Sequence, residues 1–402
     1  MKKFLYIALA ILGAGAVIAA GYLLSNKNNP AGGAVSGPPG GGLPEVNLGS
    51  GGGTQPAPGA PQAGLPQLGL KFGPVSDLSA VDYYAASDGS ITFIQDDGEI
   101  KMVGGGKTDS LSPAKIEDIL YGSFSYDGKK IIAASGNPEA QDINLFDTEN
   151  NGWRQVSVRG TSFVWSPSDY RIAYLAKEGS SYSAYSLDTK NKSSGPQKLF
   201  SLKMLDIYVL WPSPNTILVA QKPSALVAGT VLSYDIKKKT FAVLAADKFG
   251  AEVAWGNAAG EGLLFGGNVN GQGGSLGLID LTGVAVHGLN FLTLPTKCGF
   301  HGESKNVGVS SGTKTLTQTS YFLDCAVPRD QDALRGTPLP DGYYQKSFFA
   351  ADDILKISLA DGTIYPVFDD QNKYIDAYDL KYAGGKIYFI NRYDKKIYFV
   401  SP

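Results

Sequence analysis

The feature that most constrains this chain is a turn that returns at a nearly constant interval. Tyr83-Tyr84-Ala85-Ala86-Ser87-Asp88-Gly89 precedes the apolar run Ile91-Thr92-Phe93-Ile94, and Phe124-Ser125-Tyr126-Asp127-Gly128 precedes Ile131-Ile132-Ala133. The same grammar recurs at Val164-Trp165-Ser166-Pro167-Ser168-Asp169, at Trp211-Pro212-Ser213-Pro214-Asn215 and at Trp255-Gly256-Asn257, each before a further apolar run. The turn residues Asp88, Asp127, Asp169, Asn215 and Asn257 are 39, 42, 46 and 42 positions apart. Runs rich in Tyr, Phe, Ile and Val, bounded by Asp-Gly, Ser-Pro and Gly-Gly, are strand and tight-turn signals. Outer strands ending in Asp147, Asp188, Asp235 and Asp280 complete the units, and a carboxylate there can accept backbone N–H bonds in the next turn. Residues 110–120 are the best helical candidate, and Pro113 limits it. The expected fold class is all-β. A period near 40–45 with four short strands per unit is that of a β-propeller blade, and a β-sandwich with coincidental turn spacing is the competing reading.

Phe124-Ser125-Tyr126-Asp127-Gly128-Lys129-Lys130-Ile131 and Val164-Trp165-Ser166-Pro167-Ser168-Asp169-Tyr170-Arg171-Ile172-Ala173-Tyr174 resemble the TolB-type, WD40-like propeller repeat. Its core is an aromatic-Ser-Pro-Asp-Gly-Lys-Ile-Ala segment. The likeness covers most of 80–290 and fades beyond. Trp211-Pro212-Ser213-Pro214-Asn215 and Trp255-Gly256-Asn257 keep the aromatic and the turn but lose Asp-Gly. The resemblance implies a fold and often a protein-binding role, and it implies no reaction.

Completing the ring gives a seven-bladed β-propeller over 68–402, with six and eight blades the neighbouring counts. In the sixth unit the strands around Cys298 and Cys325 precede those at 354–359 and 363–368, and a loop at roughly 329–347 swells it. The last unit supplies three strands, and 70–75 is expected to be its fourth, closing the sheet edge.

The first seventy residues are a different material, holding only Lys2, Lys3, Lys27 and Glu45 of the chain's charged side chains. Residues 4–24 carry no charge, and as a helix they reach about 31 Å, the thickness of a bilayer core. Residues 1–25 therefore read as a transmembrane anchor with the N-terminus cytoplasmic and the body outside, or as a cleaved signal that would leave the protein secreted. Residues 30–66 hold 12 Gly and 8 Pro and no aromatic residue, so 26–67 reads as a disordered Gly/Pro-rich linker.

Composition excludes several functions. With 35 basic against 37 acidic side chains, no nucleic-acid partner is expected. Two Cys and two His leave no metal constellation, so no metal, no cofactor and no catalytic residue is assigned. His287 and His301 read as surface or packing residues. The acidic pairs Asp96-Asp97, Asp352-Asp353 and Asp369-Asp370 fall at strand ends, where turns want Asp anyway. Gly-rich 266–274 is not followed by a helix and reads as a hairpin loop rather than a phosphate cradle. Cys298 and Cys325 sit on neighbouring strands of an exported body and are expected to form a disulfide. Tyr343, Tyr344, Phe348 and Phe349, after a Pro-rich turn, are the candidate interaction loop, either an exposed contact surface or a plug folded back over the sixth blade.

The expected function is a non-enzymatic, membrane-tethered propeller outside the cytoplasm, binding an envelope or surface protein. The alternatives are an envelope glycan-binding or glycan-cleaving propeller and a surface structural subunit.

Overall fold

The structure is a computed structural model that describes residues 72–191, 194–256, 260–308 and 315–401. The expected anchor and linker lie outside the described residues. Among the described residues no helix is long and apolar enough to cross a membrane.

Among the described residues, twenty-seven strands form six antiparallel sheets. Five sheets have four strands. The sixth has seven, because the 14-residue strand Gly152–Trp165 serves two units. Its first part pairs back onto Gln141–Asp147 as an outer strand, and its last part pairs forward onto Arg171–Glu178 as an inner one. The inner strands are Asp82–Ala85, Ile119–Phe124, the end of Gly152–Trp165, Ile207–Ser213, Glu252–Gly256, Cys298–Gly308 and Ala377–Ala383. Each touches the next, and the last returns to the first. Sheets arranged radially in this way make a β-propeller.

The recurring turns work as their residue types require. The Oδ1 atoms of Asp88, Asp127, Asp169, Asp188, Asp235 and Asp280 each accept the backbone N–H two residues on, the Asx-turn bond that lets one side chain replace a backbone acceptor. Sequence period also becomes contact between sheets. The Tyr121 hydroxyl accepts from Phe163 N–H, and Trp165 Nε1 donates to Ser123 O, both across 42 residues. The next pair repeats the arrangement, with Ser162 Oγ accepting from Val209 N–H.

Each sheet lies between two others, so its second strand is covered on both faces and reads as a continuous apolar run. Ile131–Ala134, Ile217–Ala220 and Ile387–Ile390 are all buried. One core cluster joins Ile132 and Ile143 of one unit to Trp165 and Tyr174 of the next. The strand Phe72–Ser79 pairs with Lys396–Val400, Phe72 opposite Val400, and Phe72 stacks on Phe368 and Tyr398. The edge expected to be closed by 70–75 is closed by this slightly later and longer strand.

Two expectations are corrected. Residues 110–120 form no helix; a strand ends at Ser110 and another begins at Ile119, and Pro113 sits in the turn between them. The swollen loop after Thr315–Pro328 contains two short helices, α1 (Gln331–Arg335) and α2 (Asp341–Tyr344). Asp330 caps α1 by accepting from Ala333 N–H.

Candidate functional site

Antiparallel order fixes which connections share an end of the ring. Inner strands begin at one end, so the links from each outer strand to the next inner strand, and from each second strand to its third, all open there. The insertion at 329–351 is one of these links and is anchored across several sheets. Asp341 Oδ2 accepts from Ala225 N–H at 2.7 Å and from Ser224 Oγ at 3.2 Å. Gly273 N–H donates to Thr337 O at 3.1 Å, which ties the Gly-rich hairpin loop 268–273 to the insertion. Arg392 donates to Tyr343 O at 2.7 Å and Phe348 O at 3.2 Å, and the Tyr393 hydroxyl donates to Ala350 O. Leu334, Leu339 and Tyr343 enter the core cluster built around Leu263, Phe265 and Leu323.

The four aromatics of the insertion therefore divide. Tyr343 is buried, with the Arg392 guanidinium 3.7 Å and the Lys297 ammonium 5.1 Å from its ring centre. Phe348 is half-buried against the core cluster. Phe349 is exposed and stacks on Tyr393 at 5.3 Å. Tyr344 is 49% exposed, yet its hydroxyl end is turned inward toward Glu252. One side of the insertion plugs the ring, and the other faces solvent.

Beneath it lies a buried ionic network that sequence reasoning missed. Lys297 Nζ is 2.8 Å from Asp352 Oδ2 and 2.6 Å from Asp376 Oδ1, and Arg392 Nη1 is 2.6 Å from Asp376 Oδ2. Two cations balance two carboxylates. Burial raises Asp352 above the usual carboxylate range while Lys297 draws it back; at Lys297 burial is the largest single influence and opposes the charge, but Asp352, Tyr343 and Asp376 together outweigh it and lift the ammonium above its ordinary value. Two donors on Asp352 Oδ2, Lys297 Nζ and Ala377 N–H, favour the ionised pair. Asp352 is thus corrected from a turn residue to a fully buried anchor. Three other members of the acidic pairs serve local structure: Asp353 pairs with Arg329, Asp97 with Lys115, and Asp370 accepts from Asn372 N–H.

Cys298 and Cys325 face each other across paired strands and form a disulfide. His301 is buried, its Nδ1 2.8 Å from Asp324 Oδ2 and its ring 3.9 Å from that of Tyr382, which ties two inner strands together. His287 lies on the exposed strand Ala285–Gly288. Among the described residues no three His, Cys, Asp or Glu are grouped as a metal site requires.

The same end of the ring holds a cavity of about 540 Å³ between the strands Ile207–Ser213 and Glu252–Gly256, roofed by α2. Tyr208, Leu210, Pro223, Val253, Trp255 and Tyr344 make its walls mostly apolar, and Lys222, Asp341 and Gln345 also line it. Glu252, at the head of its strand, is its buried carboxyl. Oε1 accepts from Thr296 N–H at 3.1 Å, and the Tyr344 hydroxyl is directed at the carboxyl, whose buried Oε2 makes no hydrogen bond of good geometry. Burial pushes this carboxyl up to about 7. The sequence signal was an acid set directly against Val253-Ala254-Trp255, a lone charge leading an apolar strand.

No family model matches the chain, and no curated protein matches it in sequence. Solved structures do. An oligogalacturonate lyase from Vibrio parahaemolyticus is similar at 10% identity with a TM-score of 0.55, over 84% of this chain and 94% of that one. TolB from Acinetobacter baumannii is similar at 11% identity with a TM-score of 0.40, over 81% of this chain and 63% of that one. A prolyl endopeptidase is similar at 13% identity with a TM-score of 0.48, over 80% of this chain and 49% of its own length, so the chain spans about half of that protein. The lyase likeness supports the fold, and at such identity it speaks for the fold alone.

Proposed function

We propose that this chain is a seven-bladed propeller, tethered to a membrane by 1–25 and held off it by 26–67, that binds an envelope or surface protein with the end of the ring that carries the insertion. The blade count is supported by the seven inner strands and the double service of Gly152–Trp165. The binding reading is carried by one observation. Leu205, Leu226, Val227, Val269, Tyr374 and Tyr393 are all exposed, and every one lies in a connection that opens at that end, beside Tyr344 and Phe349. Scattered apolar residues are ordinary on a surface, but a concentration at the loop tips of one face is what a contact surface needs. The insertion is pinned to the ring, so the face is pre-organised and its binding loses little ordering entropy.

The test is a photo-crosslinking amino acid placed one position at a time in the full chain in intact cells. Val269 and Tyr374 should yield the same specific adduct, and Tyr126 and Val284, at the opposite end, should yield none. Adducts of equal yield from both ends, or none from either, would refute the reading.

A glycan-binding role draws its support from Trp255, Tyr208 and Tyr344 around Glu252, since aromatic rings flanking a carboxyl suit a sugar. A glycan array on the full chain, repeated with Glu252→Gln, decides between the two.

A further inference from the structure

The cavity under α2 has a chemistry of its own. A carboxyl is set among aromatic and aliphatic walls, one of its oxygens has no partner, and a tyrosine on an anchored insertion roofs it. We propose that this cavity binds a protonated amine carried on an apolar or aromatic body, with Glu252 as its counter-ion and Trp255, Tyr208 and Tyr344 around the cation.

The wall decides the class. A buried carboxylate oxygen without a donor is a costly arrangement in a folded protein, and an N⁺–H donor relieves it more than a neutral one does. Aromatic rings attract a desolvated cation through their faces. A sugar would need several free polar partners; Lys222 and Gln345 are available but Asp341 is already engaged, and Leu210, Pro223, Val253 and Ala254 offer none through their side chains. A metal ion would need more than Glu252 and Asp341, and no group of three His, Cys, Asp or Glu is found among the described residues. An anion would have Lys222 on its side and Glu252 and Asp341 against it. Asp341 already accepts from Ser224 and Ala225, so Glu252, with its Oε2 unsatisfied, is the carboxyl left to meet a cation. A volume of about 540 Å³ suits a small molecule or the side chain of an inserted loop.

Proton linkage follows from the same geometry. The titratable and charged groups facing Glu252 are Tyr208 on Ile207–Ser213, Lys222 after Thr216–Gln221, and Asp341 and Tyr344 on α2. Burial holds both tyrosines well above their ordinary value, so they stay neutral near pH 7. Glu252, near 7, must release its proton to meet the cation. Amine affinity should therefore rise about tenfold from pH 6 to pH 8.

The experiment is calorimetry on the full chain in detergent micelles, with phenethylammonium as a free amine and Nα-acetyl-lysine amide as a partner's side chain. 2-Phenylethanol is the neutral control. Support is saturable binding of either amine, at least tenfold tighter than the alcohol, rising with pH as stated, and lost in both Glu252→Gln and Tyr344→Ala while each variant still melts in one cooperative transition. Asp332→Asn, on the exposed side of α1, should change nothing. Binding of both amines points to a lysine-bearing partner, and binding of phenethylammonium alone points to a free small molecule. Overturning results are no amine binding, equal binding of the alcohol, retention of amine binding in Glu252→Gln, or glycan binding in the amine's place. The free-amine arm makes the outcome independent of whether the loop tips bind a protein.

Discussion

At the scale of single residues, charges buried at the heads of strands set the character of the molecule. Glu252 leads an inner strand, and the fold leaves it 5% exposed with one oxygen unpaired. The sign of its effect on stability can be worked out. Unfolded, the carboxyl loses its proton near 4.5; folded, it keeps it to about 7. Between those values the folded state binds the extra proton, so stability falls as pH rises, and above 7 the deficit is constant at about 3 kcal/mol. Glu252→Gln does not titrate, so its urea-unfolding free energy should lack that fall between pH 4.5 and 7. An unchanged pH slope in the variant would contradict the assignment. The acid was visible in the sequence. Its burial was not, because the roof over it comes from Tyr344, 92 positions away.

Among elements, the insertion at 329–351 shows how a connection becomes part of a core. Leu334, Leu339 and Tyr343 supply apolar contacts, and Lys297, Asp352, Asp376 and Arg392 supply a charge-balanced floor. Removing one member of such a network leaves a buried charge uncompensated, which costs about 3–5 kcal/mol. Lys297→Met should therefore lower the unfolding free energy by that amount and raise hydrogen exchange first at 341–351, where Ala350 N–H and the Tyr343 and Phe348 carbonyls depend on Asp376 and Arg392. Uniform loss of protection around the whole ring would argue against a local role. The aromatic cluster at 343–349 was readable as either contact surface or plug. Tyr343 takes the plug's place in the core, whereas Tyr344 and Phe349 keep exposed ring surface, Tyr344 with its hydroxyl end toward Glu252. The disulfide between Cys298 and Cys325 was legible from placement on neighbouring strands, and the observed register sets the two directly opposite each other.

For the whole molecule, closure is the decisive event. The strand Phe72–Ser79 completes the sheet whose other three strands come from the far end of the chain, and Lys381 Nζ bridges to Asp82 Oδ1 at 2.8 Å and Tyr83 O at 2.6 Å. Deleting 72–79 would expose Lys396–Val400 as an open edge and remove the Phe72 stack. The deletion should lower the urea midpoint and produce concentration-dependent association by size-exclusion chromatography; a monomer with the parent's midpoint would show that closure is dispensable. The sequence by itself determined the repeat, because turn chemistry and strand alternation are local and recur every 39 to 46 residues whatever surrounds them. It also determined the turn role of the recurrent Asp residues, since an Asx turn needs only its own neighbours. Tertiary structure alone decided which charges are buried, which face gathers the exposed apolar tips and where a cavity forms. Those properties arise between segments as far apart as Glu252 and Tyr344, or Lys297 and Asp376, and no local pattern carries the distance between them.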